Sequence, residues 1–215
     1  MPLKKIVVIG PESTGKSTLC EGLARHFSLQ GPSDWVPEYA REYLLKYGKK
    51  YQYADLMTMA KGQLALEEAH AIKLQERVGQ TRVKDSGEPI VEGLGQMNDD
   101  RIRQSKRVRD PILFIDTDMY VMKVWSEFVF GRCDAWILDQ VVGRSYDGYL
   151  LCRTDLPWTA DELREYPDDG PREELFHIYK DCMINQSTPW REIGGQADER
   201  LLSGIAAVKE MLRLV

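Results

Sequence analysis

Cysteine is scarce: the 215 residues hold four, Cys20, Cys133, Cys152 and Cys182, far apart and never at the C-x-x-C spacing of a zinc knuckle or redox pair. That excludes a disulfide framework, and free buried thiols in a reducing compartment are expected. Long apolar runs are missing too. Near the N-terminus the run Ile6-Val7-Val8-Ile9 stops at Gly10-Pro11, far short of a signal-peptide core or a membrane span of about 20 residues. Positive charge is not in excess: 29 Lys+Arg against 34 Asp+Glu leave a net charge of -5, which argues against a broad embrace of nucleic acid or anionic lipid. Any anion site must therefore be local. Internal repeats and low-complexity tracts are also lacking. The expectation is a cytoplasmic protein with no membrane partner and none among nucleic acids.

What is present is enough to bury a core: 43% hydrophobic and 29% charged residues over a length that suits one domain spanning 1–215. Ile6–Ile9 is β-branched and reads as a strand buried on both faces of a parallel sheet. Leu19, Leu23 and Phe27 then recur at helical spacing. Trp35-Val36-Pro37-Glu38 is a second strand, held to an edge or end by its proline. Helices follow over 40–47 and from Asp55, taken as an N-cap, to Arg77. Residues 79–110 carry Gly79, Gly87, Pro89, Gly93 and Gly95 with no sustained apolar period and read as an inserted flexible loop. Its run from Arg101 to Arg109 has five cations and no acid, and reads as a solvated charge face. Ile112–Ile115, 149–152 and 190–193 are further strands; 120–128, 171–185 and 197–214 are helices. The alternation makes an α/β fold, a parallel sheet wrapped by helices.

Gly10-Pro11-Glu12-Ser13-Thr14-Gly15-Lys16-Ser17 fits G-x-x-x-x-G-K-[ST], and Thr18 follows. Glycines let backbone N–H groups turn inward around phosphate oxygens, the helix after them offers its positive end, Lys16 reaches the β- and γ-phosphates, and the Ser17 hydroxyl completes a magnesium shell. Position after a buried strand and before an amphipathic helix favours this P-loop over a glycine turn with a surface lysine. The strand ending at Asp116 supplies the carboxylate such a site needs for magnesium; Asp118 is better placed as a helix cap and stands beside that reading as a candidate substrate contact.

Transfer of a phosphoryl group also needs an acceptor side. Glu38 ends the second strand, where side chains point at a γ-phosphate, and Arg41 follows one helical turn later. The segment 154–171, polar after its strand, reads as a lid, with Arg164 favoured over Arg172 as its phosphate-covering cation. Tyr39, Tyr43, Tyr120 and Trp125 lie near the acceptor side and are weighed as clamps for a flat cationic ring, Trp125 first among them.

Gly10–Thr18, Val36-Pro37-Glu38-Tyr39-Ala40-Arg41-Glu42-Tyr43, Phe114-Ile115-Asp116-Thr117-Asp118, and Asp155-Leu156-Pro157-Trp158 with Leu163-Arg164 together resemble the P-loop ribosylnicotinamide kinase domain of the NadR type. The resemblance implies a nucleoside-kinase-like fold with five parallel strands in the order 2-3-1-4-5. It implies ATP and magnesium as cosubstrates and phosphorylation of the 5′-hydroxyl of nicotinamide riboside, a small-molecule nucleoside. Carried over, Glu38 stands at the acceptor hydroxyl, Asp116 at the magnesium shell, Arg164 in the lid, and Gln63 near the substrate. Ala160-Asp161-Glu162-Leu163-Arg164 departs from the family's Asp-Asp-Gly-Leu-Arg, and 79–110 is longer than the family pattern. A deoxynucleoside or nucleoside monophosphate acceptor, and an ATP-hydrolysing switch, stay open beside it, as does the oligomeric state.

Lys16→Ala is expected to cut ATP-dependent turnover by on the order of 10²-fold or more while leaving the fold intact, because the lysine meets charge that grows during transfer. Turnover within tenfold of wild type would refute the P-loop assignment.

Overall fold

The computed structural model describes residues 2–85, 110–159 and 168–214. Five parallel strands form one sheet in the order β2-β3-β1-β4-β5. They are β1 (Lys4–Ile9), β2 (Ser33–Val36), β3 (Ile112–Asp116), β4 (Gly148–Cys152) and β5 (Trp190–Ile193). β1, β3 and β4 have continuous apolar cores, as strands covered on both faces require. β2 is an edge strand that ends before Pro37, where the missing N–H costs the ladder nothing.

Alternate residues of β1 divide the core. Ile6 and Val8 pack with Leu19, Leu23 and Phe27 of α1 (Lys16–Ser28) and with Ala207 and Val208 of α7 (Ala197–Leu212). Val7 and Ile9 face the other way, among Leu74 of α3 (Tyr53–Asp85), Val121 and Val124 of α4 (Met119–Phe130), and Leu175, Phe176 and Tyr179 of α6 (Asp169–Ile184). A third cluster joins α2 (Tyr39–Tyr47), α3, α4 and α5 (Ala135–Gly143) through Leu44, Leu56, Met59, Met119, Met122 and Ile137. Among the described residues no helix is long and apolar enough to cross a membrane.

Three local readings of the sequence are corrected. α3 does not stop at Arg77: it continues through Gly79 to Asp85, so the segment 79–85 is helix rather than loop. One exposed glycine costs a helix only about 1 kcal/mol, and buried Leu74 and Val78 anchor the preceding turns. Asp55 is not the N-cap. It lies in the first turn, where its Oδ2 accepts the Gln52 backbone N–H at 2.7 Å, the reaching-back half of a capping box. α5, capped by Asp134 through the Trp136 N–H, is an additional helix; its short apolar stretch lacks a clear period. Residues 86–109, including Arg101–Arg109, lie outside the described residues, as do 160–167 of the expected lid.

Gly62 is the tight point of α3. A Cβ there would lie 2.1 Å from Cε1 of Tyr39, so the tyrosine ring rests directly on the helix backbone. Gly62→Ala is expected to destabilise the fold by about 1–3 kcal/mol through overpacking, read as a lowered thermal midpoint. An unchanged midpoint would contradict this packing.

Candidate active site

The carboxyl ends of β1 and β2 open on a cleft of about 510 Å³; Asp116, at the end of β3, is buried behind Ser17 and is not one of its lining residues. The cleft lies where the strand order reverses, between β1 and β3, the place where open α/β sheets bind ligands. Its floor is the 10–18 loop. Gly10 has φ 139°, and a Cβ would come within 2.8 Å of the Cys152 carbonyl oxygen, so only glycine lets β1 turn so close to the end of β4. Ser13 (φ 57°) and Gly15 (φ 76°, the N-cap of α1) also take the left-handed form, as in the backbone nests that bind anions. Lys16 Nζ donates to the Pro11 carbonyl at 2.7 Å, and Thr14 Oγ1 donates to the same oxygen at 2.8 Å. Ser17 Oγ donates to Asp116 Oδ2 at 2.5 Å.

Asp116 has no exposed surface. Burial pushes its carboxyl above the ordinary range; the Lys16 charge and hydrogen bonds from Ser17 and Thr117 pull it back. Thr117, next in the chain, is held at φ 77°, strained for a β-branched residue, and is buried just past the end of β3.

Glu38 is the N-cap residue of α2, yet its side chain makes no capping bond, so the carboxylate is free of the helix and lines the cleft. Burial and then Asp116 push its carboxyl up to about 7, against the opposing pull of Lys16 and Arg41. Arg41, exposed, lines the same cleft one turn on. Glu12, Ser13, Thr18 and Trp125 line it as well. The Trp125 indole N–H donates to Tyr51 Oη at 2.7 Å, and the rings meet edge to face at 5.1 Å.

Other residues singled out in the sequence stand outside the cleft lining. Asp118 caps α4 by accepting from Tyr120 N and Val121 N at 3.0 and 3.3 Å, and accepts from Tyr149 Oη at 2.9 Å; burial pushes its carboxyl up to about 7. Gln63 is buried and spends its amide on backbone groups. Tyr39 packs on Gly62, Tyr43 donates to Asp55 at 2.8 Å, and Tyr120 meets Tyr149 edge to face. Arg164 lies outside the described residues. Arg172 is buried on α6 and donates to the Leu156 carbonyl at 3.0 Å.

Reading the sequence missed Arg200. Its guanidinium donates to the carbonyls of Thr14 (3.1 Å), Ile193 (3.2 Å) and Gly195 (3.0 Å) and pairs with Asp155, tying the phosphate loop to the loops after β4 and β5. Nothing local marks it, since an arginine on a helix is usually a solvated charge. Trp158 Nε1 to Glu12 (3.4 Å) and Thr159 N to Ser13 Oγ (3.0 Å) lay the same segment over the floor.

Magnesium fits the donor set. The Ser17 hydroxyl and Asp116 carboxylate are hard oxygen ligands already converged on one point, and a buried carboxylate gains from a cation. Among the described residues no group of three or more His, Cys, Asp or Glu side chains converges, so no all-protein cage competes.

Comparison with known proteins agrees with this geometry. A family model described as an AAA domain (AAA_28) matches residues 5–200, from β1 to α7. The chain belongs to this AAA domain family. The AAA domain chain is 23% identical over 211 residues, 98% of its length, to the trifunctional NAD biosynthesis/regulator protein NadR of Escherichia coli (strain K12), and to the same degree to that of Salmonella typhimurium. It spans 43% of the length of these curated relatives. Among solved structures, a NadR protein in complex with NR superposes with a TM-score of 0.62 at 21% identity, covering 97% of this chain and 49% of that one. Thymidylate kinase from Ehrlichia chaffeensis gives 0.55 at 13% identity, covering 98% of this chain and 100% of that one. The AAA domain chain thus has the P-loop kinase fold, in the strand order 2-3-1-4-5 expected from the resemblance.

The raised Glu38 carboxyl carries a stability signature. A carboxyl whose folded value lies above its unfolded one stabilises the fold below the unfolded value, and that gain is lost as pH rises toward about 7. Glu38→Gln lacks this loss. Its thermal midpoint relative to wild type should rise from pH 4.5 to 7.5 and then level; a difference that is flat or falls with pH would contradict the shift.

Proposed function

We propose that this protein transfers the γ-phosphate of ATP to the 5′-hydroxyl of a nucleoside, with nicotinamide riboside the preferred acceptor. The observation that carries the reading is Glu38: a carboxylate lining the same cleft as the P-loop, unused by its helix and held near neutrality. An ATP-hydrolysing switch has no need of it. The structures of NadR protein in complex with NR and in complex with NAD and AMP-PNP support both the acceptor class and ATP as donor.

In this mechanism the Gly10–Thr18 loop and the N-terminus of α1 receive the triphosphate. Lys16 leaves the Pro11 carbonyl for the β- and γ-phosphates, where it offsets charge in transfer. Ser17 and Asp116 would hold magnesium, which when bound neutralises phosphate charge. Glu38 orients the acceptor hydroxyl and takes its proton as the 5′-oxygen bonds to the γ-phosphorus and the bond from phosphorus to the bridging oxygen of ADP breaks. A group near neutrality suits that exchange at physiological pH. Arg41 at the mouth covers the phosphoryl charge, and Trp125 offers a face to a flat base; Arg164, expected from the sequence to share that task, lies outside the described residues.

Arg41, exposed at the cleft mouth, equally suits the phosphate of a nucleoside monophosphate. A thermal-shift panel with a non-hydrolysable ATP analogue separates the two: the riboside should give the largest added shift, and a nucleoside monophosphate that exceeds it would move the acceptor class. Glu38→Gln should lower turnover by about 10²–10⁴-fold with ATP affinity little changed. Equal loss of ATP affinity by calorimetry would assign Glu38 to metal or structure instead.

A further inference from the structure

Gln63 has a geometry that neither the phosphate floor nor the acceptor cleft explains. It sits on α3, is 1% exposed, and does not line the cleft. Its amide is nevertheless fully engaged, and by a specific set of partners. Oε1 accepts the Tyr39 backbone N–H at 2.7 Å; Nε2 donates to the carbonyls of Pro37 at 3.4 Å and of Asp116 at 3.2 Å. Pro37 and Tyr39 flank Glu38 on either side. The third partner is the backbone of Asp116 itself.

We infer that Gln63 is a positioning residue for phosphoryl transfer: its one planar amide fixes the backbone that carries Glu38 against the backbone that carries Asp116. The inference rests on the kinase reading above and deepens it. β2 pairs with β3 only as far as Val36↔Ile115, so from Pro37 onward the sheet no longer sets the separation of the two segments. Gln63 is the cross-link that continues where the ladder stops. Only an amide suits the place, because one end must accept from an N–H while the other donates to two carbonyls. A glutamate would set a carboxylate oxygen against both carbonyls, and an apolar side chain would leave the buried Asp116 carbonyl and two partly buried groups, the Tyr39 N–H and the Pro37 carbonyl, without this partner.

The consequence is specific to the step that needs both sides. Binding of the triphosphate depends on the 10–18 loop, to which Gln63 makes no hydrogen bond, and on Asp116, which the β1 ladder holds in place as far as Val8↔Asp116 whether or not the amide is present. Delivery of the acceptor hydroxyl depends on where Glu38 stands, and a displacement of about 1 Å in such a group can cost on the order of 10²-fold in rate. Loss of the amide should therefore depress transfer and spare both ATP binding and slow hydrolysis of ATP by water.

The test uses Gln63→Met, close in volume and without polar atoms at its end. A second variant, Tyr39→Pro, removes the shortest of the three bonds from the opposite side, together with the ring that rests on Gly62, and is compared with Tyr39→Ala, which removes the ring alone. Tyr39 is the first residue of α2, where proline is tolerated, and Glu38 before it has φ -68° and ψ 113°, which a following proline accepts. For each variant that melts cooperatively, kcat for the acceptor, KM for ATP, and ATP hydrolysis without acceptor are measured beside wild type, with nicotinamide riboside as the probe. The expected result is a kcat lower by on the order of 10²-fold, with KM for ATP and acceptor-free hydrolysis within about twofold. A kcat within about threefold of wild type in Gln63→Met or Tyr39→Pro overturns the inference. So does a parallel fall of transfer and acceptor-free hydrolysis, which would mark Gln63 as general scaffolding. If wild type itself transfers nothing to any nucleoside, the kinase reading has failed instead.

Discussion

A carboxylate with no exposed surface, Asp116, is the constraint to which the rest of this site answers. A buried charge is costly unless paired and hydrogen-bonded. Here the opposing charge comes from Lys16, which acts without direct contact while its Nζ is bonded to the Pro11 carbonyl, and the hydrogen bonds come from the hydroxyls of Ser17 and Thr117. Those groups are in reach only because Gly10 lets the chain turn tightly against the end of β4 and return as α1 one layer above β3. A second carboxylate, Glu38, then sits in the field of the first. Its displacement to about 7 follows from burial first and from Asp116 next, so one carboxylate helps to set the other.

The same economy shows in the polar cross-links around the cleft. Arg200 gathers carbonyls of the phosphate loop, the end of β5 and the loop after it, and pairs with Asp155. Gln63 does for the β2 and β3 ends what Arg200 does for the β4 and β5 ends. Both side chains are buried and both bind main chain, so the backbone around the cleft is held from two sides.

The phosphate loop, the edge strand stopped by Pro37 and the aspartate at the end of β3 were legible in the sequence because each rests on a local rule: glycine spacing, a missing N–H, an apolar run with a terminal acid. The end of α3 was misjudged because Gly79 was weighed as a breaker while the tertiary anchors Leu74 and Val78 decide the matter. α5 escaped notice for want of a period. Arg200 escaped because its tie to the phosphate loop runs to Thr14, 186 residues away; Gln63 was named only through the resemblance, as a substrate neighbour, because its partners Asp116 and Tyr39 lie 53 and 24 residues away in the chain. Asp118 had both a cap and a substrate role before it; the structure occupies both its oxygens with Tyr120, Val121 and Tyr149.

The central claim is transfer to a nucleoside hydroxyl rather than to water, and phosphorus NMR of the wild-type protein with ATP, magnesium and nicotinamide riboside tests it most directly. The account predicts a growing 5′-monophosphate ester signal matched one for one by ADP, with little inorganic phosphate. Equal amounts of ADP and inorganic phosphate, formed at the same rate with or without the riboside and with every other nucleoside offered, would contradict it.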